Sequence, residues 1–298
     1  MISPLSSSAF TAWKDSDVIV IFGASSDIGR RVTQKLLDEG KQLRLVSRRA
    51  DPLDPRAEQV AGDLSGGCDL RPVLKGAALV VSCAHARHTA VLLDALPAYA
   101  PGLVLTGSAW RYSTVPDPRG QAIRDAEAMF LSSGRNGVML HPTMIYGGMQ
   151  ERNIQRLLAL IRQWPVLPAP GGGRHLVQPI HVEDAAACLL AAIRRSWAGP
   201  NAIAVAGPNA MTWREMAATC MEAIGVRRPI VSVPLAPAIG AVRLLHAAGI
   251  RLPVDANVLR RFRENVDIPL AAMRDELGVM PRSFDVGLHQ ALLGWRSG

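Results

Sequence analysis

The sequence predicts a doubly wound, parallel α/β sheet with a smaller C-terminal lobe, and three observations predict it. Short apolar, β-branched runs alternate with helical patterns through residues 18–150, the order that places helices on both faces of a parallel sheet. The turn between the first run and the first helix is built from glycine and small polar residues. After Tyr146 the alternation gives way to a polar-faced helix and a Pro/Gly-rich stretch, which marks a second packing unit. A chain of 298 residues is long enough for both parts.

Residues 18–22 form an unbroken apolar run, which reads as a strand buried on both faces and ended by Gly23. Ile28, Val32 and Leu36 recur every four residues, with Leu37 beside them and Gly40 as the stop, so a helix follows. Further strands are expected at 43–47, 78–83, 103–106 and 138–141, with helices at 89–99 and 121–132. Beyond Tyr146 the pattern predicts a helix at 153–163, a loop at 165–174, an apolar lead-in at 177–181 to a helix at 183–194, and a strand at 202–205. Thr212 and Glu215 form a capping box for a helix that runs to Ile224 and stops at Gly225. Residues 1–17 are then an N-terminal extension, 18–150 and 175–206 the sheet domain, and 151–174 with 207–298 the lobe that would carry substrate.

The 33 Lys+Arg against 25 Asp+Glu leave a net charge of +8, which alone suggests a nucleic-acid partner. The make-up of that charge argues otherwise. The only lysines are Lys14, Lys35, Lys41 and Lys75; the other basic residues are scattered arginines without interleaved stacking aromatics, so no nucleic-acid binding is expected. Cys68, Cys83, Cys188 and Cys220 lie far apart with no C-x-x-C pair, the usage of reduced thiols in a cytoplasmic protein. His85 and His88 have metal-ligand spacing but lack further ligands nearby, so no metal is expected. The first seventeen residues lack a signal-peptide pattern and the uncharged stretch 229–242 is broken by prolines, so no membrane association is expected either.

Gly23-Ala24-Ser25-Ser26-Asp27-Ile28-Gly29 joins strand to helix. Gly23 suits a sharp turn, and Gly29 lets the helix pack close to the strand while its first N–H groups face an anion. The spacing resembles the short-chain dehydrogenase/reductase superfamily, whose Rossmann domains carry G-x-x-x-G-x-G or G-x-x-G-x-x-G; Ser26 and Asp27 occupy the two candidate middle positions. After the second strand, where an NAD enzyme carries a carboxylate, stand Ser47-Arg48-Arg49. A guanidinium fork there suits a 2′-phosphate, so NADP is expected, with NAD less favoured. Gly62-Asp63-Leu64 resembles the superfamily's "GDL" turn at the adenine, and Cys83-Ala84-His85 its loop against the adenosine ribose. The resemblance thus implies cofactor contacts at Gly23, Ser25, Ser26, Asp27, Ile28, Gly29, Arg48, Arg49, Asp63, Leu64, Cys83, Ala84 and His85.

Members of this superfamily act on a carbonyl with Ser or Thr plus Y-x-x-x-K, in which a lysine one helical turn away lowers a phenol pKa from about 10. That pair is missing. Tyr99, Tyr112 and Tyr146 are followed four residues on by Leu103, Pro116 and Gln150, and counting back from Glu127 puts Arg119 and Ile123 where the Tyr and Lys should stand. Thr106-Gly107-Ser108-Ala109, running on to Tyr112, resembles the extended members' S-S-A-x-x-Y-G and implies that Ser108 hydrogen-bonds a substrate oxygen, with Arg111 nearby; a plain strand-end serine is the other reading. His141-Pro142-Thr143-Met144-Ile145-Tyr146-Gly147 resembles "RPTxIYG" with His for the usual Arg, implying nicotinamide contacts around Pro142 and Ile145. Residues 178–184 resemble "QPVHVDD" and 277–282 resemble "LGYxPR".

Together these motifs are similar to an atypical, epimerase-like subgroup of the extended members in which Y-x-x-x-K is commonly lost. The resemblance implies an oxidoreductase or nucleoside-diphosphate-sugar epimerase-like protein acting on a small molecule, with Ser108, Tyr112, Tyr146 and His181 as catalytic candidates. Its alternative is a non-catalytic NADP(H) sensor or scaffold. His181 also reads as a structural residue, and Glu183 and Asp184 as serving a helix N-terminus. A homodimer through the helices at 89–99 and 121–132 is a further expectation.

Overall fold

A computed structural model describes residues 17–48, 53–99, 101–247, 249 and 256–297. The first half alternates as expected: β1 (Val18–Phe22), α1 (Asp27–Asp38), β2 (Gln42–Ser47), β3 (Glu58–Ala61), α2 (Arg71–Leu74), β4 (Ala77–Ser82), α3 (Thr89–Ala95), β5 (Gly102–Thr106), α4 (Pro118–Ser132) and β6 (Gly137–Pro142). The second half runs β7 (Ile145–Tyr146), α5 (Asn153–Gln163), β8 (Leu167–Pro170), β9 (Leu176–Val177), β10 (Ile180–His181), α6 (Val182–Arg194) and β11 (Pro200–Val205). It ends with β12 (Met211–Thr212), α7 (Trp213–Ala223), β13 (Ile230–Val233), α8 (Leu235–Ala247), α9 (Ala256–Arg261), α10 (Ala271–Leu277) and α11 (Phe284–Ser297).

Seven strands form one parallel sheet in the order β3-β2-β1-β4-β5-β6-β11. The order reverses direction between β1 and β4, which opens a crevice at their C-terminal ends. Strand alternation sorts the core into two layers. Ile19 and Ile21 pack with Val32 and Leu36 of α1 and Ala185 and Leu189 of α6 on one face. Val20 and Phe22 pack with Leu92 of α3 and Phe130 of α4 on the other. Each buried Val, Leu, Ile or Phe among them contributes roughly 1.5–3 kcal/mol, so both faces are held firmly. The returning strand expected at 202–205 does return, pairing with β6.

Three local expectations change. The helix beginning at Thr89 ends at Ala95, short of Pro97, because a proline disfavours helical geometry in the residue before it. The expected loop 165–174 contains β8, which pairs in parallel with β13. Asp184 does not merely serve its helix terminus: its buried carboxylate accepts from Arg282 N at 3.0 Å and from the Arg282 guanidinium at 2.9–3.0 Å.

A third core, of Ile154, Leu158 and Ile161 from α5, Met216 and Cys220 from α7, and Phe284 and Leu288 from α11, lies beside the sheet layers. The capping box that opens α7 forms with both of its hydrogen bonds. Gln178, buried, stitches this part to the sheet: its carboxamide donates to Gly207 O (2.9 Å) and Ile268 O (3.1 Å) and accepts from Ile268 N (2.7 Å). All four cysteines are free thiols. Among the described residues no helix is long and apolar enough to cross a membrane, and no group of three or more His, Cys, Asp or Glu is placed to hold a metal ion.

Candidate functional site

The loop after β1 turns at Gly23, whose φ of +74° belongs to the left-handed region. A Cβ there would lie 2.9 Å from Ala84 N, so glycine is what lets the loops after β1 and β4 touch. Gly29 is equally constrained: its Cβ would lie 2.2 Å from Gly23 O. Ser26 caps α1, its Oγ accepting from Gly29 N at 3.1 Å and donating to Gly23 O at 2.9 Å. The first turn of α1, with Ile28 buried beneath it, therefore opens at the crevice between β1 and β4, and first-turn N–H groups have no partner within their own helix.

Asp27 is turned aside. Its carboxylate accepts from Met149 N (3.0 Å) and Gln150 N (2.8 Å), and the Gln150 side chain returns a bond to Ser25 O (3.1 Å). A Cβ on Gly148 would lie 2.1 Å from Asp27 Oδ2, so that glycine permits the approach. The phosphate-type loop is thereby laced to the loop after β7. Sequence reading did not find this link, and the glycine pair 147–148 was its visible trace.

Along the crevice, Arg48 follows β2 directly, while Arg49 lies outside the described residues. Asp63 forms an Asx turn, accepting from Ser65 N at 2.8 Å; that bond, aided by the charge of Arg48, holds its carboxyl below the usual range. Leu64 O is held by His88 Nδ1 at 2.9 Å, and Arg87 Nε donates to His88 Nε2 at 3.1 Å. His85 is exposed and its Nδ1 caps the following turn, accepting from Arg87 N at 3.1 Å. Burial pushes the Cys83 thiol up to about 12, which leaves it a poor nucleophile. His88 and Arg87 thus join Asp63, Leu64 and His85; their sequence signal, the His85–His88 spacing, was weighed only as a metal motif.

At the other end, Ser108 follows β5 and caps the 3₁₀ turn Ala109–Tyr112, its Oγ accepting from Trp110 N at 3.3 Å. The hydroxyl proton is not used in that cap. Tyr112 is 45% exposed, with the Arg111 guanidinium 4.9 Å from its ring, and partial burial raises its pKa. Arg119 is bound bidentately by buried Asp117 (2.8 and 3.0 Å) and stacks on Trp110 at 4.3 Å. Ile123 is buried against Ala86, Ala126 and Trp110. Arg261 covers the same indole at 3.7 Å, and Glu264 accepts from Ser113 Oγ (2.6 Å), Thr114 N (2.6 Å), Thr114 Oγ1 (2.8 Å) and Val115 N (2.9 Å). Residues far along the chain therefore clasp the loop that follows Ser108.

Tyr146 and His181 lie elsewhere. Tyr146 is fully buried, donates from its OH to Phe284 O at 3.3 Å, and has its pKa raised by burial. His181 is buried edge-on against Tyr146; its Nδ1 caps α6 by accepting from Glu183 N at 3.3 Å, and burial lowers its pKa to about 4. Pro142 closes β6, and Ile145 pairs with Ile180 across β7 and β10.

The fold and the glycine loop define a class, the Rossmann-like α/β proteins. Residues 23–160 match the family model described as NAD(P)H-binding. Among solved structures, the chain shares its fold with UDP-glucose 4-epimerase of Thermotoga maritima in complex with UDP-glucose (TM-score 0.73, 15% identity, 94% of this chain and 99% of that one). It shares it too with dTDP-glucose 4,6-dehydratase of Bacillus anthracis in complex with NAD (TM-score 0.72, 16% identity, 95% and 97%).

Among curated proteins, an uncharacterized protein of Mycobacterium tuberculosis is 27% identical over 292 residues, covering 90% of this chain and 31% of that protein. The chain thus spans about a third of the length of the first curated relatives it matches. A ceramide reductase of Caulobacter vibrioides is 25% identical over 236 residues, 73% of this chain and 74% of the reductase. The Rossmann-like fold that the resemblance implies is borne out by these structures, and its cofactor-binding segment coincides with the NAD(P)H-binding match.

Proposed function

We propose that this chain is an NADP(H)-dependent oxidoreductase that acts on the carbonyl or hydroxyl group of a small molecule at Ser108. The observation that carries the reading is the arrangement at the β1/β4 crevice: a capped helix start, glycines that admit no side chain, and Arg48 at the end of β2. This donor set fits a dinucleotide. Gly23 to Gly29 would hold its pyrophosphate, Arg48 and Arg49 its 2′-phosphate, Asp63 and Leu64 its adenine, residues 83–85 its ribose, and Pro142 and Ile145 its nicotinamide end. When bound, the nicotinamide supplies the hydride.

Ser108 donates its free hydroxyl proton to the substrate oxygen, and Tyr112 is the phenol that remains beside it, since Tyr146 and His181 are enclosed. A nucleotide sugar and a ceramide-type lipid are the substrate classes suggested by the neighbours' and the reductase's names. Residues 151–174 and 207–298 form the substrate lobe in this reading. A cytoplasmic location and a homodimer through α3 and α4, where Met129 and Leu131 are 40% exposed, belong to the same proposal.

A second reading, a non-catalytic NADP(H) sensor, is favoured by Arg119 and Ile123 at the Tyr and Lys positions and by the upward shift of Tyr112. Fluorescence titration with NADPH and NADH tests the shared part. Micromolar NADPH binding, at least ten times tighter than NADH and weakened about tenfold in Arg48→Ala, is the expected outcome; no binding defeats both readings. NADPH oxidation across a panel of ketones and nucleotide sugars then separates enzyme from sensor.

A further inference from the structure

Beneath the Ser108 turn, three ionisable side chains from separate elements meet. His141, on β6, is fully buried, and Glu127, on α4, is 3% exposed. His141 Nε2 stands 2.8 Å from Glu127 Oε2, and Arg111 Nε, from the turn itself, donates to that same oxygen. On its other side, His141 Nδ1 accepts the backbone N–H of Ser108 at 3.2 Å. Gly107 makes this possible: a Cβ there would lie 2.3 Å from Nδ1. The Tyr112 ring stands edge-on to the imidazole at 6.1 Å.

The protonation pattern follows from the partners. An imidazole nitrogen that accepts an N–H cannot carry a proton, so the neutral ring holds its hydrogen at Nε2, the atom that stands beside the carboxylate. Glu127 and Arg111 cancel each other's charge, which lets the carboxylate be buried. A second proton on His141 would set its Nδ1–H against Ser108 N–H. Burial and Arg111 oppose that proton, while Glu127 favours it. The superfamily pattern that this segment resembles carries Arg at position 141, and here the cation comes instead from Arg111, only three residues beyond Ser108.

We propose that Arg111, Glu127 and His141 are positioning residues that fix the backbone of Ser108, and with it the direction in which the Ser108 hydroxyl points. Ser108 N–H is held by His141, and Ser108 Oγ accepts from Trp110 N–H, so the position of the oxygen is fixed and its proton stays outside the cap. The relay rests on the reading that Ser108 meets a substrate oxygen, but its geometry can be tested without substrate.

The first arm is NMR on the full chain with ¹⁵N-labelled histidine. His141 should show the neutral Nε2–H form at neutral pH, and Glu127→Ala should move the Ser108 amide resonance and mix the ring tautomers. Glu127→Gln, which keeps an acceptor for Nε2–H, should restore most of the wild-type spectrum. A wild-type ring protonated at Nδ1, or a Ser108 amide unmoved in a folded Glu127→Ala, overturns the proposal. The second arm is turnover: Glu127→Ala should lower kcat at least tenfold with the NADPH Kd within threefold, and Glu127→Gln should recover it. An unchanged kcat also overturns the proposal. A wild type that binds NADPH but turns over nothing defeats the enzyme reading instead, and the NMR arm then decides the relay alone.

Discussion

The loop after β1 and the turn after β5 both depart from the superfamily pattern they resemble, and the two departures have opposite structural weight. At the first, Ser26 and Asp27 stand where a glycine is expected, yet their polar groups are absorbed locally: Ser26 caps the helix, and Asp27 faces the N–H groups of Met149 and Gln150. Near the second, Arg119 and Ile123 stand where the resemblance places a tyrosine and a lysine. Ile123 is packed into apolar surroundings and Arg119 is locked to Asp117. A polar residue on the loop is thus accommodated by its own hydrogen bonds, whereas Ile123 sits in apolar packing that has no place for a charge.

The sharpest way to break this contrast is to try to reverse both changes. Ile123→Lys places an ammonium among Ala86, Ala126 and Trp110, and should cost about 3–5 kcal/mol because no anion on those residues pairs with it; a urea midpoint within error of wild type would show the repacking to be superficial. Acid provides a middle-sized probe. His181 has a pKa of about 4 against an ordinary 6.5, so the unfolded chain takes up the proton first. Its contribution is complete above pH 6.5 and is lost as pH falls from about 6.5 to 4, by about 2 kcal/mol at pH 5. Denaturant melts at pH 7.5 and 5 should show this drop in wild type and a smaller one in His181→Asn, which keeps a side-chain acceptor for the α6 cap. The smallest effect is expected from Asp27→Gly. It should lose about 1–2 kcal/mol with the bonds to Met149 and Gln150, while NADPH affinity stays within about threefold by fluorescence titration.

Legibility in the sequence followed burial. The strands of the central sheet could be read because their residues are apolar on both faces, and α1 because Ile28, Val32 and Leu36 line one side. β3 escaped: Glu58–Ala61 is a half-exposed edge strand with little apolar pattern to betray it. β8 escaped because Pro168 and Pro170 read as loop, although each residue of β8 has a partner in β13. The glycines of the phosphate-type loop were legible because they must be small; Asp27 was visible, but its partners lie more than a hundred positions away. Glu127 served only as a register mark in sequence, since nothing local shows that α4 carries it to His141 and Arg111.

Gln178 has a consequence for the order of events in folding. Its carboxamide joins chain positions 29 and 90 residues away, and closing the longer of these loops carries an entropic cost that grows with its length. The stitch to Ile268 is expected to form only once the strands around it have met. A truncation at Gln178 should accordingly quicken unfolding far more than it slows refolding, making this one amide a brake on escape from the native state.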